Sequence, residues 1–174
     1  MDDKLKSIFA NIHEMVKFSE AKNAILIALN GSAVLGVIKI LSDEKINSIW
    51  IKYYIYEFIF FATLGLIISL LSFFPRIKLP WLSCEGSPSS DDNLILYTDI
   101  CKYDERTYLE ALTKSMDEPI KRNTRFEVFY ANQIIVNSKI ALRKYKLFRN
   151  ALGCTMSAIL TPIIVILVLC FLEE

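Results

Sequence analysis

The chain has 174 residues, 53% of them hydrophobic, with a mean hydropathy of +0.37 and a formal net charge of +1. That length holds one domain of ordinary size, and the near-neutral charge excludes the basic excess expected of a protein that binds a nucleic-acid polymer. Four scattered cysteines (Cys84, Cys101, Cys154 and Cys170) and one histidine, His13, argue against both a zinc centre and a disulfide framework, so free thiols are expected.

In chain order, residues 4–22 come first. Leu5, Ile8, Phe9, Ile12, Met15 and Val16 recur at helical spacing, which predicts an amphipathic cytosolic helix (domain 1–22). His13 lies beside that face and reads as a packing residue. Residues 23–41 form an apolar run with Asn30, Gly31 and Ser32 in the middle and Lys39 near the far end, a first membrane span or, alternatively, a buried core helix. Ala24, Ala28, Ser32 and Gly36, spaced by four, make a smooth strip suited to close helix packing within the chain or between copies.

Residues 53–74 are a second span, with Glu57 as their one charge and Trp50, Tyr53, Tyr54 and Tyr56 as an interfacial belt. A charge at membrane depth needs a partner or water. Glu57 therefore reads either as an ion-pair partner of Lys39 or as part of a polar path in an assembly of copies. The first apolar run lacks a small-residue cleavage site, so no removable signal peptide is expected.

Residues 75–150 are expected to form a cytosolic helical sensor region. Residues 83–93 read as a turn-rich connection whose Asp91 and Asp92 are solvated. A helix is expected from Asp99 to Lys114, with Ile100, Tyr103, Thr107 and Tyr108 in register, and "SMDEP" then breaks the chain. From about Thr124 a long helix starts and continues to about Glu173, kinked at most near Pro162. Its inner face gathers Phe126, Tyr130, Ile134, Ile140, Ala141 and Phe148, with Gln133, Asn137 and Lys144 among them. Buried amides either fix helix register or read a ligand, and a buried lysine needs an anion or a route to water. Arg125, Asn132, Lys139, Arg143, Lys146 and Asn150 line the opposite face. Residues 153–172 contain no charge over 20 positions, enough for a third span.

Between Arg76 and Arg149 lie 13 of the 20 lysines and arginines. The positive-inside rule then places 75–150 and the N-terminus in the cytoplasm and the C-terminus outside, which three crossings satisfy. The expected fold is an all-α membrane protein: three transmembrane helices with a small cytosolic helical bundle. An enzyme is not expected: there is no nucleophile elbow, phosphate-cradling glycine loop or carboxylate pair in a plausible cleft, so no catalytic or metal residue is assigned.

Three stretches, 16–38, 93–112 and 130–152, together resemble the transmembrane effectors of bacterial Pycsar antiphage systems. Such proteins often carry an Asp-Thr-Lys-like sequence where this chain has Ser19, Glu20, Ala21 and Lys22, so the match is firmest at Lys22. The resemblance implies an effector in the bacterial inner membrane. It would sense cyclic CMP or cyclic UMP from a partner pyrimidine cyclase and compromise the lipid bilayer, ending in abortive infection. A homo-oligomer is expected, and no cofactor beyond the activating nucleotide. On this reading Gln133 and Asn137 contact the base, while Lys22, Lys139, Arg143 or Lys144 neutralise the phosphate and Asn23 lies beside Lys22. Glu57 and Lys39 form the membrane polar site. Two other readings share much of the architecture: an effector for cyclic dinucleotides or oligonucleotides, and a ligand-independent, holin-like membrane protein.

Overall fold

The computed structural model describes residues 2–42, 49–74, 84, 86–116 and 124–172, the side chains of 162 and 164–172 excepted. All regular structure among them is helical: α1 (Asp2–Leu41), α2 (Ile49–Leu71), α3 (Tyr97–Ile100), α4 (Glu105–Ser115) and α5 (Arg125–Leu172). The chain divides into two compact units, Met1–Ser19 with Pro75–Tyr145 and Glu20–Phe74 with Lys146–Glu174. Both α1 and α5 supply residues to each unit.

Local chemistry explains where the helices start. Asp2 and Asp3 sit in the first turn of α1, where carboxylates complement the positive end of the helix dipole. At the start of α5, Thr124 N–H donates to Glu127 Oε2 at 2.7 Å and Glu127 N–H donates to Thr124 Oγ1 at 3.2 Å. This reciprocal capping box sets the helix start expected near Thr124. Downstream, α5 stays helical through Leu172, past Pro162. The predicted helix over 99–114 is instead two helices. Asp104 caps α4 by accepting from Thr107 N–H, and the Thr107 hydroxyl accepts from Asp104 N–H, so the backbone restarts there. Thr107 is thus an exposed capping residue rather than part of the inner face. "SMDEP" lies largely outside the described residues.

The first unit has an ordinary apolar core. Leu5, Ile8 and Ile12 from α1 meet Tyr108, Leu109 and Leu112 from α4 and Ala131, Ile134 and Ile135 from α5, with Ile100 and Tyr103 closing one end. The rings of Phe9 and Tyr130 pack edge to face at a centroid distance of 5.9 Å. Burying a side chain of this size contributes about 1.5–3 kcal/mol relative to exposure. The amphipathic face predicted for α1 is the one used. That of α5 is used in part: Ile134 and Ala141 are buried as predicted, joined by Ala131, Ile135 and Ser138, whereas Phe126 is 52% exposed.

The second unit inverts this pattern. Its interior is small and polar: Asn23, Asn30, Ala62, Gly65, Ser69, Ala151, Thr155 and Ala158 are buried beside Leu26. Its surface carries Ile25, Leu29, Leu35, Trp50, Tyr53, Phe60, Ile67, Met156 and Ile159. Two helices, α1 and α2, are long and apolar enough to cross a membrane, and only 11% and 17% of their most apolar windows are buried. A soluble core helix would bury that face, whereas lipid accepts it. The third span predicted at 153–172 is helical, but half of its side chains lie outside the described residues.

At the centre of this unit three helices meet on polar atoms. Asn30 Nδ2 donates to Thr155 Oγ1 at 2.9 Å. The Thr155 hydroxyl in turn has Ala151 O at 3.0 Å and Asn30 Oδ1 at 3.2 Å as acceptors for its single proton. Gly65 of α2 closes the group, since a Cβ there would lie 3.1 Å from Ala151 O and 3.2 Å from both Asn30 Nδ2 and Thr155 Oγ1. The small strip expected to pack, Ala24, Ala28, Ser32 and Gly36, is exposed, so within the chain the contact face is Asn23, Leu26 and Asn30 instead. The helix turns its amides inward because hydrocarbon offers them no partner, whereas alanine and glycine tolerate lipid.

Adding side chain at Gly65 should therefore force the helices apart. Gly65→Val is expected to cost about 1–3 kcal/mol by overpacking. Gly36→Ala, where a Cβ meets nothing within 4 Å, is expected to cost nothing. Unfolding of the detergent-solubilised protein by sodium dodecyl sulfate titration measures both, and equal stability of the two variants would contradict the packing described.

Candidate functional site

The segment between Cys84 and Asp104 has little regular structure, yet it is tied down at many points. Gly86 takes a φ of 94°, a left-handed conformation that suits glycine. Ser89 N–H donates to Asp92 Oδ2 at 2.9 Å and Asp92 N–H to Ser89 O at 3.3 Å, closing a turn. Lys102 Nζ then bridges Asp92 Oδ1 at 2.7 Å and Asp99 Oδ1 at 2.8 Å. The Tyr103 hydroxyl lies 3.0 Å from Ser89 O and 3.1 Å from Asp92 Oδ2, and Tyr108 OH donates to Leu94 O at 2.8 Å. Cys84 and Cys101 are joined by a disulfide across 17 residues.

Two expectations are corrected here. Asp92 is a bound anchor rather than a solvated linker residue: its side chain is 7% exposed, whereas Asp91 is open to solvent. Cys84 and Cys101 are paired, leaving Cys154 as a free thiol among the described residues. The pairing could not be read from spacing, because it depends on the turn at Gly86 and the break after α3.

Charge follows geometry in this cluster. The Lys102 hydrogen bond is the main cause holding the Asp92 carboxyl below its ordinary value, reinforced by Ser89 N–H. The same bond to Asp92, then that to Asp99, pushes the Lys102 ammonium above the usual lysine range. Burial raises the Tyr108 phenol.

The residues predicted to bind ligand fall into both units. In the second, Asn23 is fully buried, and Lys22 Nζ stands 5.4 Å from the centroid of the Phe148 ring, a cation–π contact. In the first, Lys144 is buried at 8% exposure and engaged with a partner, and Asn137 and Arg143 are half-buried. Gln133 and Lys139 are exposed. Gln133 is thus not on an inner face, because the buried stripe of α5 runs through Ile134 and Ser138 instead. In the proposed membrane polar site, Lys39 is exposed and Glu57 half-buried, and neither forms an ion pair among the described residues. Their predicted pairing is not made. No group of three or more His, Cys, Asp or Glu is placed to hold a metal ion among the described residues.

The tethers set two expectations. Tyr108→Phe removes the hydrogen bond to Leu94 O and is expected to cost about 1 kcal/mol in denaturant unfolding. The depressed Asp92 stabilises the fold above the ordinary aspartate value of 3.8 and is lost as pH falls through its lower folded value. The raised Lys102 stabilises below the ordinary lysine value of 10.5 and is lost as pH rises through its higher folded value. Stability from this pair is therefore level between those limits and falls on the acid side. Asp92→Asn is expected to flatten the acid slope, and an unchanged slope in the pH dependence of unfolding would contradict the assignment.

No curated protein and no solved structure matches the chain. A family model does: the Pycsar effector protein domain, PycTM, over residues 4–171. It covers both units, from the first turns of α1 to the end of α5, and agrees with the resemblance carried by 16–38, 93–112 and 130–152. With two apolar helices whose large side chains face outward, the chain is a membrane protein, and it belongs to the Pycsar effector family.

Proposed function

We infer that the chain is an antiphage effector that senses 3′,5′-cyclic CMP or cyclic UMP made by a partner pyrimidine cyclase and then impairs the bacterial inner membrane. The observation that carries this reading is the family match across 4–171, joined to a second unit that is polar inside and apolar outside. The first unit, with its conventional core and tethered loop, suits a soluble sensor. We place it in the cytoplasm and give the chain three crossings, with α5 supplying the last. Activation would proceed through an assembly of copies.

A ligand biases a leaky state only by binding it more tightly than the closed state. About 3 kcal/mol of difference, roughly a hundredfold in affinity, is enough to switch the population. The pair α1 and α5 supports such coupling, since each contributes side chains to both units.

Calorimetry on the detergent-solubilised chain tests the sensing step. Cyclic CMP or cyclic UMP is expected to bind with micromolar or tighter affinity. Binding of cyclic dinucleotides alone would move the chain to another signalling system, and no binding with toxicity on expression alone would favour a holin-like protein.

Thiol chemistry tests the topology. Cytoplasmic reductants open disulfides, whereas the oxidising side of the membrane preserves them. On the cytoplasmic placement the Cys84–Cys101 bridge is expected to be open in the cell, so alkylation under denaturing conditions of uninfected cells should find both as reduced thiols. A persistent bridge there would place 75–150 outside the cell.

A further inference from the structure

In the second unit, hydrogen-bonding groups are turned inward and large apolar groups outward. Asn23, Asn30, Ser69, Ser72 and Thr155 are buried, whereas Leu29, Phe60, Ile67 and Ile159 are exposed. The exposed face suits lipid, but an opening walled by such side chains would shed water. Letting solutes through a membrane needs a polar wall, and the chain carries one on the inside.

We propose that this buried seam is the wall of the aqueous opening, packed shut in the resting chain and wetted when α1, α2 and α5 part. The inference rests on the function just proposed and adds the surface that meets the permeating solutes. Three observations carry it. The first is continuity. Seven residues join α1 to α2, which makes the two helices antiparallel neighbours. The steps from Gly65 to Ser69 and Ser72 therefore run the same way as the step back from Asn30 to Asn23, and each row covers about 10 Å. In the other direction the seam continues through the buried Ala62 and Ala158. Leu26, between the two asparagines, is the one large apolar side chain buried in this unit among the described residues.

The second is unmet hydrogen bonding. The Ser69 hydroxyl is fully buried and has no hydrogen-bond partner among the described residues. The Thr155 hydroxyl has one proton for two acceptors, Ala151 O and Asn30 Oδ1. Buried groups in that state are disfavoured, and water in an opened seam would complete their bonds. The third is how the seam is shut. Asn30 meets Thr155 at 2.9 Å with Gly65 pressed against both, so closure depends on shape and a few hydrogen bonds rather than on a large apolar core. The five polar side chains are uncharged, so the wall would pass small solutes of either sign. In an assembly of copies, the seams of neighbouring chains would face one shared opening.

Thiol accessibility on the full-length protein in dye-loaded liposomes tests this wall. Ser69→Cys places a thiol in the seam and Ile67→Cys one on the exposed face of α2, and the tryptic peptide 53–76 that carries both positions has no native cysteine. The probe is a charged, membrane-impermeant methanethiosulfonate, read by mass mapping of that peptide. Modification follows the open fraction, so at Ser69→Cys it is expected to speed up about tenfold or more when cyclic UMP or cyclic CMP is added. Combining Ser69→Cys with Gly65→Val, which wedges the helices, is expected to give the same acceleration, and dye release, without nucleotide. Ile67→Cys is expected to stay unmodified throughout. Should Gly65→Val fail to fold by circular dichroism, Gly65→Ser replaces it. Dye release by nucleotide with the Ser69→Cys thiol still shielded, or modification of Ile67→Cys in its place, would overturn the seam while leaving the effector reading intact. If nucleotide releases no dye from the parent chain, the effector reading falls and the Gly65→Val arm alone decides the seam: a thiol still shielded there overturns it.

Discussion

One constraint shapes this chain: α1 and α5 each carry two opposite burial patterns along a single helix. Toward the N-terminus of α1 the buried side chains are Leu5, Ile8 and Ile12; further on they are Asn23, Leu26 and Asn30. Along α5 the buried set likewise passes from Ala131, Ile134 and Ile135 to Ala151, Thr155 and Ala158. Water drives large apolar groups inward, about 25 cal/mol for each Å² removed. Lipid supplies no such drive, so helices there meet through small residues and hydrogen bonds. The change of pattern marks the boundary between the two units more clearly than any break in the helices.

The Asn30–Thr155–Gly65 contact gives the second unit its register. An interhelical hydrogen bond in a membrane is worth about 0.6–2 kcal/mol, a modest sum that nevertheless selects one arrangement, because sliding either helix would strand an amide in hydrocarbon. Gly65 lets α2 approach this pair closely, and a side chain would collide with three polar atoms at once. The same modest energies make the arrangement responsive. A ligand that favours another arrangement by a few kcal/mol can outweigh one such contact, which is what a membrane effector under ligand control requires.

Much of the architecture was legible in the sequence, and the failures have identifiable causes. The periodicity of Leu5, Ile8 and Ile12 and the run from Thr124 onward are strong patterns, and both became long helices. The inner face expected of α5 is met at Ile134, Ala141 and Lys144 and missed at Phe126 and Gln133, because the small Ala131 and Ser138 fill the core where bulkier or longer side chains carry the sequence signal. The break before α4 has a signal in Asp104 and Thr107, an Asp-x-x-Thr box that competes with the continuing Tyr103–Thr107 spacing. The Cys84–Cys101 bridge and the Lys102–Asp92 anchor depend on a loop's path, which no local pattern encodes. The spacing of Ala24, Ala28, Ser32 and Gly36 predicts a packing strip within the chain or between copies, and within the chain that strip is exposed. Spacing says which residues share a face, and the environment decides which way that face turns.

The central claim is that occupancy of the helical sensor is converted into damage across the bilayer. Liposomes loaded with a self-quenched dye and reconstituted with the full chain measure that conversion directly. Addition of cyclic UMP or cyclic CMP is expected to release dye in a dose-dependent manner that follows calorimetric occupancy, with little release beforehand. Saturating nucleotide occupancy without release, or release that is complete before nucleotide is added and indifferent to it, would contradict the account.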